Sequence, residues 1–277
     1  MKLTEIKATS IITKSNLPDA DYVINPYTGC MHNCVYCYAR FMKRFAGHEE
    51  PWGEFIDVKI NAPELIPSEN SSQAKKYFRK KIFLSSVTDA YQPLDRKYQL
   101  TRRILEKLIP LKPALSILTK SDLVLRDIDL LKQFENCDVG FSISSLDDNL
   151  RKELEPFTST VANKIKALEE LKKSWITTFV FIGPILPFFT DWKKIILETR
   201  HCVDYYMLEN LNVKGTIWDS VEKWLKEKHP EHLGEYQLIY SSSPSKNNYW
   251  NPVEREVEQF CKEQGVECNI YFHHDGN

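Results

Sequence analysis

The sequence lacks the run of ~20 apolar residues that a membrane-spanning helix needs. Its first residues, Met1 to Asn16 with Lys2, Lys7 and Lys14 spread among them, lack the apolar stretch of a signal peptide. It also lacks an excess of either charge: 37 Lys and Arg stand against 38 Asp and Glu, a formal net charge of -1. A chain so balanced is not built mainly to neutralise nucleic-acid phosphates, although a local basic face can still do so. No internal repeat or low-complexity tract is present. At 42% hydrophobic residues and a mean hydropathy of -0.41, the 277 residues match no disorder class and can build a sizeable core. The expected location is the cytoplasm. An even cysteine count is missing too. Seven cysteines in a cytosolic chain make a poor disulfide framework, and metal or redox chemistry becomes the better question.

Cys137, Cys202, Cys261 and Cys268 are scattered singly, and Cys202 and Cys261 read as core residues on apolar helix faces. Cys30, Cys34 and Cys37 instead form a Cys-x3-Cys-x2-Cys cluster. At this chain's cysteine frequency, chance produces that spacing in roughly 0.4% of sequences of this length, so the cluster is a signal rather than noise.

Short runs of Val, Ile, Phe, Tyr and Ser alternate with amphipathic stretches along most of the chain. The expected strands are Asp21 to Pro26, Ile82 to Val87, Ala114 to Leu118, Val139 to Ser144, Thr177 to Gly183, Tyr205 to Glu209 and Asn269 to Phe272. Their nearly continuous apolar character suits a parallel sheet buried on both faces. Between them, Leu100, Ile104, Leu105, Leu108 and Ile109 share one helical face, as do Val161, Ile165, Leu168 and Leu171. Asp127 and Asp191 sit where N-caps belong, and Gly265 where a C-cap belongs. Such alternation predicts an α/β barrel or a doubly wound sheet. We read one domain over 1–277, its last ~65 residues forming an extension.

The cysteines follow the first of these strands directly, in Asn25-Pro26-Tyr27-Thr28-Gly29-Cys30-Met31-His32-Asn33-Cys34-Val35-Tyr36-Cys37-Tyr38, where Pro26 and Gly29 call for a turn. Three thiolates on one loop can hold three corners of a cubane iron-sulfur cluster, whereas structural zinc wants four ligands, usually from two knuckles. His32 is the alternative fourth zinc ligand, but it is wedged between two of the cysteines. Three protein ligands leave one iron open, and an open position marks a reactive metal site.

This arrangement resembles the radical S-adenosylmethionine (SAM) superfamily, whose Cys-x3-Cys-x-aromatic-Cys loop is matched by Cys30, Cys34, Tyr36 and Cys37. Within it, Asn25 to Cys30 and Tyr36-Cys37-Tyr38-Ala39-Arg40 look like the spore photoproduct lyase-like family. So do Ser85 to Pro93, Thr119-Lys120-Ser121, Arg126-Asp127, Phe141 to Ser144 and Glu155-Pro156, in the same order. The resemblance implies a partial TIM-type (βα)6 barrel over 21–210, with a C-terminal extension, 211–277, closing the open side. It implies a 4Fe-4S cluster on Cys30, Cys34 and Cys37, with SAM on the fourth iron, cleaved reductively to a 5′-deoxyadenosyl radical. Thr88 and Asp89 would then contact the methionine amino group and Lys120 its carboxylate. Ser142 and Ser144 would meet the ribose, Tyr36 and Gly183 the adenine, and Tyr38 would face the active cavity as the catalytic candidate. Plainer readings stand beside these: a helix cap for Asp89, a solvated loop lysine for Lys120, small residues in a crowded sheet for the serines.

Two features depart from the family's pattern, and the first puts lesion repair of the spore photoproduct type in doubt. Val87 stands where those lyases carry a hydrogen-donating cysteine, and Ser159 to Lys164 lacks an expected arginine. Lys75 to Lys81, with Tyr77 and Phe78, together with Arg40, Lys43 and Arg44, reads either as a face that tracks a nucleic-acid strand or, more commonly, as solvated surface. Glu209 to Asn212 and Tyr271 to Asp275 are candidates for substrate contact. The expected enzyme abstracts hydrogen from an unidentified substrate, nucleic acid being one class that stays open. Its partner would be a flavodoxin- or ferredoxin-type electron donor, and it would act as a monomer away from membranes. The alternatives are DNA lesion repair and a non-catalytic iron-sulfur protein.

Overall fold

Runs of β-branched and aromatic residues form strands in the computed structural model, which describes residues 1–274. In chain order these are β1 (Lys2–Ile6), β2 (Ile12–Lys14), β3 (Tyr22–Ile24), β4 (Tyr27–Thr28), β5 (Phe55–Lys59), β6 (Lys81–Leu84), β7 (Ala114–Thr119), β8 (Asn136–Ser142), β9 (Thr177–Ile185), β10 (Tyr205–Asn210) and β11 (Glu267–Ile270). The larger sheet has the order β11-β10-β9-β8-β7-β6-β3-β2. Every neighbouring pair in it is parallel except β2 with β3. The run from β3 to β10 supplies the six strands of the expected partial barrel. The sheet stays open, with β2 and β11 as its edges.

The core lies between this sheet and its helices. Ile24, Ile82, Leu84, Ile117, Val139, Phe141, Val180, Ile182 and Leu208 are at most 1% exposed, and each such burial contributes about 1.5–3 kcal/mol. Helix Leu100–Leu108 buries Leu100, Ile104, Leu105 and Leu108, and helix Val161–Lys173 buries Val161, Leu168 and Leu171, as their spacing predicts. Asp191 caps helix Trp192–Thr199 by accepting from Lys194 N at 3.0 Å, and Gly265 ends helix Ser243–Gln264 in the left-handed region. Asp127 does not cap: its carboxylate is taken by the guanidinium groups of Arg102 and Arg126 at 3.1 and 2.7 Å.

A second sheet, β1-β5-β4, escaped the sequence reading. Strand β1 is short and largely exposed, and Asp57 and Lys59 break the apolar run of β5. Asp57 is buried because His48 meets it at 2.8 Å. Four predicted strands end early at their C-termini, β3 at Ile24, β6 at Leu84, β8 at Ser142 and β11 at Ile270, and the residues beyond the first three form the turns that carry the candidate site. Strand β9 runs past Gly183 to Ile185.

In the C-terminal part, helices Ile217–Lys228, Leu233–Ile239 and Ser243–Gln264 lead to β11, which adds in parallel to β10. Tyr271 Oη donates to Asp19 Oδ2 at 2.7 Å, tying this edge to the loop between β2 and β3 across the open side. Two cysteine expectations are corrected here. Cys261 is not a lone core thiol but forms a disulfide with Cys268, joining the last helix to β11. Cys202 is buried beyond the end of helix Trp192–Thr199 rather than on it, with its thiol on the Thr199 carbonyl at 3.2 Å. Among the described residues no helix is long and apolar enough to cross a membrane.

Candidate active site

The cysteine loop starts where β3 ends, at the C-terminal mouth of the open barrel, the end at which α/β barrels gather their sites. Its backbone is held from several sides. Cys37 N donates to Cys34 O at 3.2 Å, Val35 N to Leu154 O at 2.9 Å, and Arg40 Nη2 to Cys34 O and Val35 O at 2.9 and 3.3 Å. Gln92 Oε1 accepts from Met31 N at 2.9 Å, and Thr88 Oγ1 donates to Gly29 O at 2.6 Å. All three loop cysteines are free thiols, Cys30 and Cys34 buried and Cys37 partly so. Burial pushes each thiol up, Cys30 and Cys34 strongly; Lys120 pulls Cys34 back, though not enough to offset it. The protein alone therefore keeps them neutral, and a bound metal is what would hold them as thiolates. Among the described residues, no three His, Cys, Asp or Glu converge as a single-ion site.

Two buried carboxylates brace the loop. Asp89 Oδ1 accepts from Tyr91 N and Thr119 Oγ1, both at 2.8 Å, while Oδ2 takes Lys120 N at 2.9 Å and His32 Nε2 at 3.1 Å. These four bonds use the acceptor capacity of a carboxylate. Burial raises the Asp89 pKa, but His32 and the hydrogen bonds outweigh it and leave the group below its ordinary value. The other nitrogen of His32 faces the Phe157 carbonyl at 3.0 Å, so neither nitrogen is free to ligate a metal.

Glu155 is 2% exposed and lies between Lys164 at 3.0 Å and Lys120 at 3.5 Å. It also accepts from the Tyr36 hydroxyl and, at 3.2 Å, from Thr158 Oγ1. Burial pushes its carboxyl up, yet Lys120 and Lys164 together hold it well below the carboxylate range. Lys164 donates to Ser142 O at 3.0 Å, anchoring the end of β8. Tyr36 Oη lies 3.1 Å from Ser144 Oγ, which donates to Gly183 O at 3.2 Å. Lys120 Nζ stands 5.5 Å from the centre of the Tyr36 ring.

Residues 24–198 match the family model of the radical SAM superfamily. The chain belongs to the radical SAM superfamily. Its enzymes use a 4Fe-4S cluster and SAM and need a reductant and a substrate. An uncharacterised protein of Methanocaldococcus jannaschii is 40% identical over 246 residues, 89% of this chain and 90% of that protein. The radical SAM Nalpha-GlyT isomerase of Pseudomonas phage M6 is 26% identical over 166 residues, 58% of this chain and 32% of the phage protein. A mutant spore photoproduct lyase with dinucleoside spore photoproduct superposes with a TM-score of 0.72 at 16% identity, covering 98% of this chain and 82% of that one. At that identity the likeness is one of fold, and it is the open, mostly parallel α/β barrel.

Within this radical SAM fold, Tyr36, Lys120, Ser144 and Gly183 form one connected group, joined through Glu155 and Lys164 to Ser142. Asp89 and Thr88 are spent on the protein itself, in holding His32 and Gly29. The space a side chain would occupy at Gly183 is filled by the Phe181 ring, 2.2 Å from where a Cβ would stand. Tyr38 is 54% exposed, with its hydroxyl on the Ser86 carbonyl. The sequence reading missed Glu155 and Lys164 as a charge pair. The clue was a Glu-Pro ahead of a helix whose apolar face carries a lysine, in the stretch where an arginine had been expected.

Elsewhere, Glu209 pairs with His273 at 2.7 Å, and Asn210 exchanges bonds of 2.7 and 3.4 Å with the His273 backbone. Asp275 lies outside the described residues. The exposed basic run Lys75 to Lys81 leads into the start of β6, the opposite end of the barrel from the cysteines.

Proposed function

We propose that Cys30, Cys34 and Cys37 hold the 4Fe-4S cluster of this radical SAM enzyme, and that the enzyme abstracts hydrogen from a substrate at the barrel mouth. When bound, the cluster and SAM supply the electron and the 5′-deoxyadenosyl radical. The observation that carries this reading is the loop itself: three free thiols at the end of β3, braced by His32 and Asp89 and by carbonyls held on Arg40.

The remaining residues divide the work. Glu155 lies closer to Lys164, at 3.0 Å, than to Lys120, at 3.5 Å, so Lys120 keeps part of its positive charge available although Asp89 also acts on it. Lys120, 15% exposed at its side chain, offers that charge to a carboxylate such as that of methionine. Tyr36, fixed by Glu155 and Ser144, presents a ring face for stacking, and Ser142 and Ser144 flank it. Tyr38, Glu209 and His273 stand on the solvent side, where a substrate enters, and the buried Asn210 holds the His273 backbone behind them.

DNA lesion repair is the second reading, favoured by the photoproduct-bound structural neighbour. Val87 in the place of a hydrogen-donating cysteine and the remote position of the basic run weigh against it. The test is anaerobic reconstitution with iron and sulfide, then dithionite and SAM. Release of 5′-deoxyadenosine is expected, and a cluster-loaded sample that releases none overturns the assignment.

A further inference from the structure

Trp52 lies outside every motif that marks the cofactor site, and the fold brings it there. Pro51-Trp52-Gly53-Glu54 is a turn closed by Glu54 N donating to Pro51 O at 3.0 Å, with Gly53 at φ +90°. Glycine supplies that conformation at the third position of a type II turn. The turn is seated on the cysteine loop, since a Cβ at Gly53 would stand 2.2 Å from Asn33 Oδ1. Beside it the Trp52 indole, 4% exposed, packs with Cys30, Ala39 and Phe55, and Cys37 lies against the same group.

The indole Nε1 is buried without a hydrogen-bond partner of satisfactory geometry in the protein. A buried tryptophan N–H usually finds an acceptor, and leaving it without one is costly. Cys37 is the loop cysteine toward which the Trp52 N–H is placed as a donor, short of full hydrogen-bonding geometry. A neutral thiol is a weak acceptor, whereas a thiolate bound to iron is a charged and stronger one.

We propose that Trp52 donates its indole N–H to the Cys37 sulfur of the loaded cluster and thereby raises the cluster's reduction potential. The inference rests on the ligand set proposed above. The bond stabilises the more negative, reduced cluster more than the oxidised one, and hydrogen bonds to ligating sulfurs are a recognised control on potential. Trp52 is thus a positioning residue, acting through Cys37 and touching no substrate.

Trp52→Phe keeps an aromatic ring in the turn and removes the donor together with part of the indole's bulk. At a fixed solution potential, the ratio of reduced to oxidised cluster should fall about threefold, about 28 mV for a one-electron couple at 59 mV per tenfold. The exchangeable proton coupling that pulsed EPR detects on the reduced wild-type cluster, comparing H2O with D2O, should be lost from the variant. An unmoved potential with unchanged couplings in a loaded variant overturns the proposal. If Trp52→Phe takes up no cluster, wild-type protein labelled with indole-15N tryptophan decides: a 15N coupling to the reduced cluster supports the bond, and its absence overturns it. Wild-type protein that takes up no cluster overturns the ligand set and this inference together, whereas a loaded wild type whose potential the variant leaves unmoved overturns this one alone.

Discussion

At the ends of β3, β6, β7 and β8 the ionisable side chains are buried and their bonds are made inside the protein. Asp89 accepts four hydrogen bonds, and Glu155 is enclosed by two lysines, a tyrosine and a threonine. At the ends of β10 and β11 the groups are half-exposed and pair singly, as in Glu209 with His273 and His274 with Glu254. The first region is fixed by interior bonds that leave one geometry; the second is held by solvent-accessible contacts and one covalent clip, Cys261–Cys268. This division suits a cofactor whose chemistry demands an exact seat beside the more open face proposed for substrate entry.

The sharpest way to break the comparison is to remove the chemistry of one side and leave the other standing. Cys34→Ala should abolish 5′-deoxyadenosine release entirely while keeping the fold, because Cys34 contributes a small buried group whose loss the loop hydrogen bonds survive. Circular dichroism together with product chromatography checks both halves of that statement. Retained release from the variant would remove the cysteine loop from the chemistry altogether.

Glu155→Gln comes next. It leaves Lys120 and Lys164 buried without their counter-charge, and breaking a buried pair in this way costs about 3–5 kcal/mol. Denaturant unfolding should show a loss of that size, accompanied by weaker SAM binding as Tyr36 and Lys120 lose their common partner. The pH dependence has a definite sign. A carboxyl held below its ordinary value contributes stability that is fully present above the unfolded pKa of about 4.3 and is lost as pH falls below it. Wild-type stability should therefore fall more steeply below about pH 4.3 than that of the variant.

The covalent clip tests the other region. Reducing Cys261–Cys268, or making Cys268→Ser, opens a short loop spanning a sequence separation of 7. On chain-entropy grounds that is worth about 2.5 kcal/mol. The loss should appear in thermal unfolding and in faster amide exchange along β11, with cluster content unchanged. Loss of the cluster together with the clip would show the two regions to be one.

How much of this was legible in the sequence follows the same division. The six core strands, the cysteine loop and its place after the first strand could be read because apolar runs and a tight ligand spacing are local patterns. The partners of Asp89 could not, because His32, Thr119 and Lys120 come from three separate segments and nothing local announces their meeting. Glu155 with Lys164 was hidden for the same reason, and a buried lysine on an apolar helix face reads as an error until its carboxylate is found. Strand β5 was obscured because Asp57 looks exposed until His48 is placed against it. Cys261 and Cys268 were read as unpaired because an odd total counts against disulfides only when all the cysteines serve one purpose. Here three, two and two have different fates.

The smallest expected effect is the most discriminating for substrate selection. Side chains of the Glu209–His273 pair are 30% and 40% exposed, and ion pairs so open to solvent contribute under about 1 kcal/mol. Glu209→Gln should therefore leave the unfolding midpoint, the iron and sulfide content and the substrate-free release of 5′-deoxyadenosine close to wild type. The backbone of His273 stays anchored by Asn210 whatever happens to the side-chain pair, so the tail keeps its place and only the charge presented at the mouth changes. A fall in substrate-free release comparable to that of Glu155→Gln would mean that Glu209 acts on the cofactor rather than on what enters beside it, and the mouth would have to be redrawn with β10 on the cofactor side.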